Sequence, residues 1–142
     1  MASILVLNGP NLGRLGSREP EIYGSMNYEQ LVGELGAFAK QHGHSADVRQ
    51  TDSEAELISW LHEAVDARMP VVLNPAAFTH YSYALADAAA LVTKSGLTLI
   101  EVHISNPHAR EEFRHKSVIS AVASGVIAGF GTDSYKLAIQ AI

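Results

Sequence analysis

The chain predicts a doubly wound parallel α/β sheet of five strands with helices on both faces. Three observations carry this. Short apolar runs such as Ile4-Leu5-Val6-Leu7 and Val71-Val72-Leu73 recur along the chain, too brief for helices and rich in strand formers. Segments with apolar residues at helical spacing stand between them, the alternation of a parallel sheet. Polar clusters at residues 8–11, 74–80 and 101–105 follow or close three of the strands, and parallel sheets bind ligands beyond the carboxyl ends of their strands.

The elements follow in order. The first strand, residues 4–7, breaks into Asn8-Gly9-Pro10-Asn11, a dense turn signal. From there to about residue 26 no apolar periodicity appears, and so long a loop is a lid, a binding loop or disorder. Because it carries Asn11, Arg14, Arg18, Glu19 and Tyr23, we read residues 9–26 as an arginine-bearing flap over a site. Asn27 caps the first helix with Gln30 as its capping-box partner; Tyr28, Leu31, Leu35 and Phe38 form its face, and Gly43 stops it. Ala46, Val48 and Gln50 alternate with polar residues in an edge strand. Ser53 and Glu56 form a second capping box before Leu57, Ile58, Leu61, Ala64 and Val65, a single helical stripe.

Residues 70–73 form a buried strand. A polar loop, residues 76–82, leads into a helix with Leu85, Ala88, Ala89 and Val92, stopped by Gly96. Residues 98–102 are the fourth strand, 108–114 one or two surface helical turns, and 125–129 the last strand. Thr132 or Asp133 caps a final helix bearing Leu137, Ala138 and Ile142. No linker or repeat interrupts the pattern, so residues 1–142 make one catalytic domain.

Composition narrows the function. A net charge of −5 over 142 residues argues against nucleic acid. The chain has no cysteine, which excludes disulfides, thiolate metal sites and a cysteine nucleophile. No apolar run reaches the roughly 18 residues of a membrane span, and Met1-Ala2-Ser3 enters the first strand without a signal peptide. We expect a soluble, cytoplasmic protein. A hydrophobic fraction of 47% suggests subunits that bury surface against each other.

The converging clusters hold a tyrosine, arginines, histidines, asparagines and a serine, a set suited to proton transfer on an anionic, hydroxylated small molecule. Glu101, inside a strand, is costly to bury unless partnered. Gly9, Gly13 and Gly16 fit neither the dinucleotide fingerprint nor a P-loop, and H-E-x-x-H is absent.

Three long blocks are more specific. LNGPNLGRLGSREPEIYG, N-P-x-x-x-T-H-x-S-x-A-L-x-D at residues 74–87, and EVHISNPHAREEFRHKS at residues 101–117 resemble the type II 3-dehydroquinate dehydratases, in the family's order. The resemblance implies a flavodoxin-like fold, trimers assembled into a homododecamer, and no metal or cofactor. The reaction it implies is the anti elimination of water from 3-dehydroquinate through an enolate, giving 3-dehydroshikimate, in the shikimate or quinate pathway.

By the same resemblance Tyr23 is the base and His103 the general acid. A free tyrosine has a pKa of about 10, so it needs a cation beside it to act as phenolate. Arg18 is the natural supplier and Arg14 a second candidate. Asn11 orients a water or donates to the enolate oxygen. Taken singly, Tyr23 reads as a packed loop aromatic, Asn11 as a turn asparagine and His103 as a hydrogen-bonded strand-end histidine. Arg18, five residues before Tyr23, favours the catalytic reading. The N–H groups of Ile104 and Ser105, with the Ser105 hydroxyl, match the carboxylate site; Asn74, His80 and Arg114 match positions that bond the ring hydroxyls.

Asp87 matches a carboxylate that reaches the neighbouring subunit's site. Glu101 reads as a group orienting a neighbour, and Arg110 as a structural or interface charge. Ala76-Ala77-Phe78, Tyr81, Tyr83 and Ser134 stand where glycines or smaller residues are usual. The competing reading is a flavodoxin-like phosphate- or nucleotide-binding module, which needs a glycine loop running straight into a helix N-terminus.

Overall fold

The computed structural model describes residues 2–17 and 19–142. Strands β1 (Ser3–Asn8), β2 (Ser45–Gln50), β3 (Val71–Asn74), β4 (Leu99–His103) and β5 (Gly125–Ala128) form one parallel sheet. Their order is β2-β1-β3-β4-β5, the flavodoxin-like order, in which strand direction of progress reverses between β1 and β3. Helix α1 (Pro20–Tyr23) is a single turn in the flap. Helices α2 (Tyr28–Gln41) and α5 (Asp133–Ala141) pack on one face, and α3 (Glu54–Ala67) and α4 (Tyr83–Lys94) on the other.

The period-2 geometry of a strand explains β1. Leu5 and Leu7 enter the core shared with Leu57, Leu61, Leu73 and Leu85. Ile4 and Val6 enter the opposite one, with Leu31, Leu35, Val72 and Tyr135. Burial on both faces makes the strand apolar without alternation, and each fully buried leucine contributes roughly 2 kcal/mol. Side chains cap the starts of α2, α3 and α4, whereas the expected Ser53–Glu56 box forms only in part and Thr132 makes no side-chain cap bond at α5. Asn27 accepts the Gln30 N–H at 2.8 Å while Gln30 Oε1 accepts the Asn27 N–H at 2.9 Å. Ser53 accepts the Glu56 N–H at 3.1 Å, and Ser82 starts α4 by accepting the Leu85 N–H at 3.0 Å.

Three expectations change and a fourth, the turns near residue 110, is refined. The flap is not featureless: a 3-10 turn (Leu12–Arg14) and α1 shape it, and buried Leu12 and Leu15 pin it to the core. The segment around residues 108–114 is two 3-10 turns, Pro107–Ala109 and Glu112–His115, with Arg110 extended between them (φ −118°, ψ −162°). The last strand stops at Ala128 because Gly129 turns to φ 94°. In α5 the buried stripe is Tyr135, Ala138 and Ile139, at i, i+3 and i+4, which leaves Leu137 41% exposed.

Candidate active site

Because β1 and β3 pair from Leu5 opposite Val71 to Asn8 opposite Asn74, their polar ends emerge side by side. The Gly9 N–H donates to the Asn74 carbonyl at 2.8 Å. A Cβ on Gly9 would lie 2.6 Å from the Pro75 carbonyl oxygen, so only glycine lets these two loops approach. With the end of β4 they wall a cleft. The flap contributes Asn11 and Tyr23, the loop after β3 contributes Asn74 and His80, and the end of β4 contributes His103, Ile104 and Ser105. Arg110 and Arg114 close the remaining wall.

Tyr23 meets a cation, although not the one expected. Arg110 Nη1 donates to the Tyr23 hydroxyl at 2.7 Å and to Ser105 Oγ at 3.3 Å. Its guanidinium carbon lies 5.3 Å from the Tyr23 ring centroid. Reading Arg110 as a structural or interface charge is thereby corrected: its side chain is only 12% exposed and it faces the cleft. The extended residue between two 3-10 turns throws the side chain inward, where a continuous surface helix would have turned it out. Arg14 is exposed and is not part of the cleft wall. Arg18, the cation expected beside Tyr23, lies outside the described residues.

At the other side Glu101 and His103 form a buried pair through Oε2 and Nε2. Glu101 also accepts from Thr79 Oγ1 at 3.0 Å and Ser120 Oγ at 2.6 Å. Burial alone would raise the carboxyl's pKa. The His103 contact and the serine hydroxyls outweigh it and hold Glu101 below the usual glutamate range.

His80 donates Nδ1–H to the Lys116 carbonyl at 2.8 Å, which leaves Nε2 as the nitrogen that bears the lone pair in the neutral ring. Burial pushes the His80 imidazole down, and the positive charges of Arg114 and His103 push the same way, so it stays neutral near pH 7. Arg114 bonds Glu111 through Nε at 3.1 Å and lies over the Phe113 ring. Asn74 is fixed from both ends: its Oδ1 accepts the Ala76 N–H at 3.1 Å and its Nδ2 donates to the Tyr135 hydroxyl at 2.8 Å. Tyr135 donates onward to Asn8 Oδ1 at 2.7 Å. Burial drives the Tyr135 hydroxyl far above its ordinary value, so it remains a neutral donor.

Asn11 sits at φ 70° with its N–H on Asp52 Oδ1 at 2.9 Å. Asp87 is exposed on α4 and takes no part in this chain's cleft. Two departures from the family pattern gain physical content. Ala76 occupies φ 51°, a left-handed conformation that explains the usual glycine. Ser134 is buried, and its Oγ accepts the Phe130 N–H at 3.1 Å, tying down the loop after β5.

Sequence reasoning missed Arg110, Tyr135, Thr79 and Ser120 as parts of this constellation. For the two hydroxyl residues a signal existed, since a strand-interior glutamate demands donors. Tyr135 was legible only as part of the i, i+3, i+4 stripe of α5.

Fold and cleft together define a flavodoxin-like α/β protein whose site can accept a proton at a tyrosine and deliver one from a carboxylate-backed histidine. The comparisons make this specific. The family model Dehydroquinase class II matches residues 2–142, and the chain belongs to that family. Proteins named 3-dehydroquinate dehydratase from Salinispora tropica and Mycobacteroides abscessus are each 57% identical to it, over 137 and 138 residues, covering 96% and 97% of this chain and 94% of each relative. The crystal structure of a type II dehydroquinase from Propionibacterium acnes matches with a TM-score of 0.95 and 52% identity, over 99% of this chain and 94% of that one. A type II dehydroquinase from Butyrivibrio crossotus gives 0.94 and 45%, over 99% and 96%. Among the described residues no helix is long and apolar enough to cross a membrane.

Proposed function

We propose that the chain is a 3-dehydroquinate dehydratase, a hydro-lyase that removes water from 3-dehydroquinate to give 3-dehydroshikimate in the shikimate pathway. The single observation that carries this reading is the Arg110–Tyr23 contact in the same cleft as the Glu101–His103 pair. Tyr23, as phenolate, takes the proton next to the ketone, and the electron pair passes to the ketone oxygen as an enolate. Asn11 stabilises that oxygen directly or through a water. The enolate collapses and expels the tertiary hydroxyl, which leaves as water with a proton from His103. Base and acid act on opposite sides of the ring, the anti course.

Arg110 supports the phenolate with a charge-assisted bond, and Arg18 keeps its proposed role as a further flap cation. Ile104 and Ser105 receive the substrate carboxylate; Asn74, His80 and Arg114 receive the ring hydroxyls. The pinned orientation of Asn74 and the free Nε2 of His80 support those assignments. We further propose that Asp87 serves a neighbouring subunit in a trimer-based dodecamer. It projects from a helix flanked by exposed Tyr81, Tyr83 and Leu91, apolar surface of the kind subunits cover. A phosphate- or nucleotide-binding module is disfavoured, because the first strand is followed by the turns Leu12–Arg14 and Pro20–Tyr23 rather than by a glycine loop entering a long helix.

The test is incubation of the purified protein with 3-dehydroquinate and EDTA, following the conjugated enone by ultraviolet absorbance. Enone formation is expected. An inert protein, with substrate recovered unchanged, overturns the reading.

A further inference from the structure

Glu101 meets more than His103, and the order of its hydrogen bonds can be worked out atom by atom. Ser117 Oγ accepts two backbone N–H groups, from Ile119 at 3.1 Å and Ser120 at 3.2 Å. Both its lone pairs are then filled, so in its 2.6 Å contact with Thr79 Oγ1 Ser117 must be the donor. Thr79 accordingly spends its own proton on Glu101 Oε2, at 3.0 Å. Ser120 donates to Oε1 at 2.6 Å. The glutamate thus receives a hydroxyl at each oxygen, Thr79 at Oε2 and Ser120 at Oε1, an arrangement that favours its anion.

We propose that Ser120, together with the Ser117–Thr79 relay, is a positioning residue that keeps Glu101 an anion and thereby fixes His103 in the tautomer that carries its hydrogen on Nε2. Nδ1 is then the nitrogen that loads and delivers the proton; this rests on His103 being the general acid of the proposed reaction. Nε2–H is committed to Glu101 Oε2 and never leaves. The other titratable or charged groups around the pair are Tyr23, His80, Arg110 and Arg114 in the cleft, and His108, His115 and Lys116 around the cavity behind it. Of these Tyr23 can become an anion and is engaged by Arg110 Nη1, while the partner of His103 Nε2 is Glu101. Ser120 touches no cleft atom itself and acts through the carboxylate.

Loss of the Ser120 donor leaves Glu101 more basic. The imidazolium beside it then releases its Nδ1 proton less readily. In Ser120→Ala kcat should fall about tenfold, the effect of one hydrogen bond to a charged group. KM should stay within about twofold, and the alkaline limb of kcat should move up by about half a pH unit or more. Ser120→Thr, which keeps the hydroxyl, should restore both. An unchanged kcat and pH profile in Ser120→Ala overturns the proposal, as does a fall that Ser120→Thr fails to rescue or that appears only in KM.

A second measurement needs no variant. Nitrogen-15 NMR of the histidine rings above the titration range should show His103 protonated at Nε2 and bare at Nδ1, and the opposite tautomer overturns the proposal. Protein that fails to dehydrate 3-dehydroquinate refutes the functional reading instead, while the tautomer experiment still decides the hydrogen-bond order.

Discussion

Replacing Arg110 by methionine keeps much of the side chain's reach and removes its charge. The bond at stake is the 2.7 Å contact from Nη1 to the Tyr23 hydroxyl. A hydrogen bond to a charged group is worth about 1.5–3 kcal/mol, and each tenfold in rate is about 1.4 kcal/mol. The phenolate should therefore lose about 10- to 150-fold in kcat/KM. With Arg110 only 12% exposed, salt screens the contact weakly, which favours the upper part of that range. Arg110→Lys keeps the charge but loses the planar guanidinium whose Nη1 donates to both Tyr23 and Ser105 and which lies against the Tyr23 ring, so it should fall between wild type and methionine. Steady-state enone formation gives the rates, and thermal denaturation of each variant confirms the fold. A methionine variant that folds and turns over at the wild-type rate would refute the claim that Arg110 sustains the base.

Other substitutions probe the surroundings. Ala76→Gly relieves a left-handed alanine at φ 51°, a strain of about 1–2 kcal/mol that glycine's own chain entropy of about 0.5–1 kcal/mol partly offsets; urea denaturation should show a gain of up to about 1 kcal/mol, and a loss would contradict the strain argument. Glu101 has its carboxyl held below the ordinary value of 4.5. Its contribution to stability is therefore complete above about pH 4.5 and disappears as pH falls through the lowered folded value. In Glu101→Gln the acid side of the stability curve should flatten, and an unchanged slope would contradict the assignment. Mixing Tyr23→Phe subunits with Asp87→Ala subunits and reassembling them should regenerate about a quarter of the wild-type sites if each cleft borrows a neighbour's Asp87. No recovery would place Asp87 outside the active unit.

How far the chain could be read depended on whether a residue's role was local. The capping box of Asn27 and Gln30 joins neighbours three residues apart and forms as read, while at Ser53 and Glu56 only half of it forms, because the Ser53 N–H goes to Thr51 Oγ1. The apolar run of β1 needs only burial on two faces, and the α4 stripe of Leu85, Ala88, Ala89 and Val92 is buried throughout. The convergence of three strand ends followed from the parallel topology alone. Arg110 could not be read this way, because its direction depends on a single extended residue between two 3-10 turns. Tyr135 bonds Asn74 and Asn8 across 61 and 127 positions of chain, a separation that no periodicity signals. In α5, Leu137 and Ile139 are equally large and apolar, so side-chain type alone could not place the buried face; the spacing of Tyr135, Ala138 and Ile139 decided it.

The base is tested most directly by the ratio of kcat for Tyr23→Phe to wild type on 3-dehydroquinate, measured where both proteins are folded. Loss of the hydroxyl proposed as the base should reduce kcat by at least about a thousandfold, within the range of general base catalysis, while KM changes little. A phenylalanine variant that forms the enone at a rate near that of wild type would contradict the account.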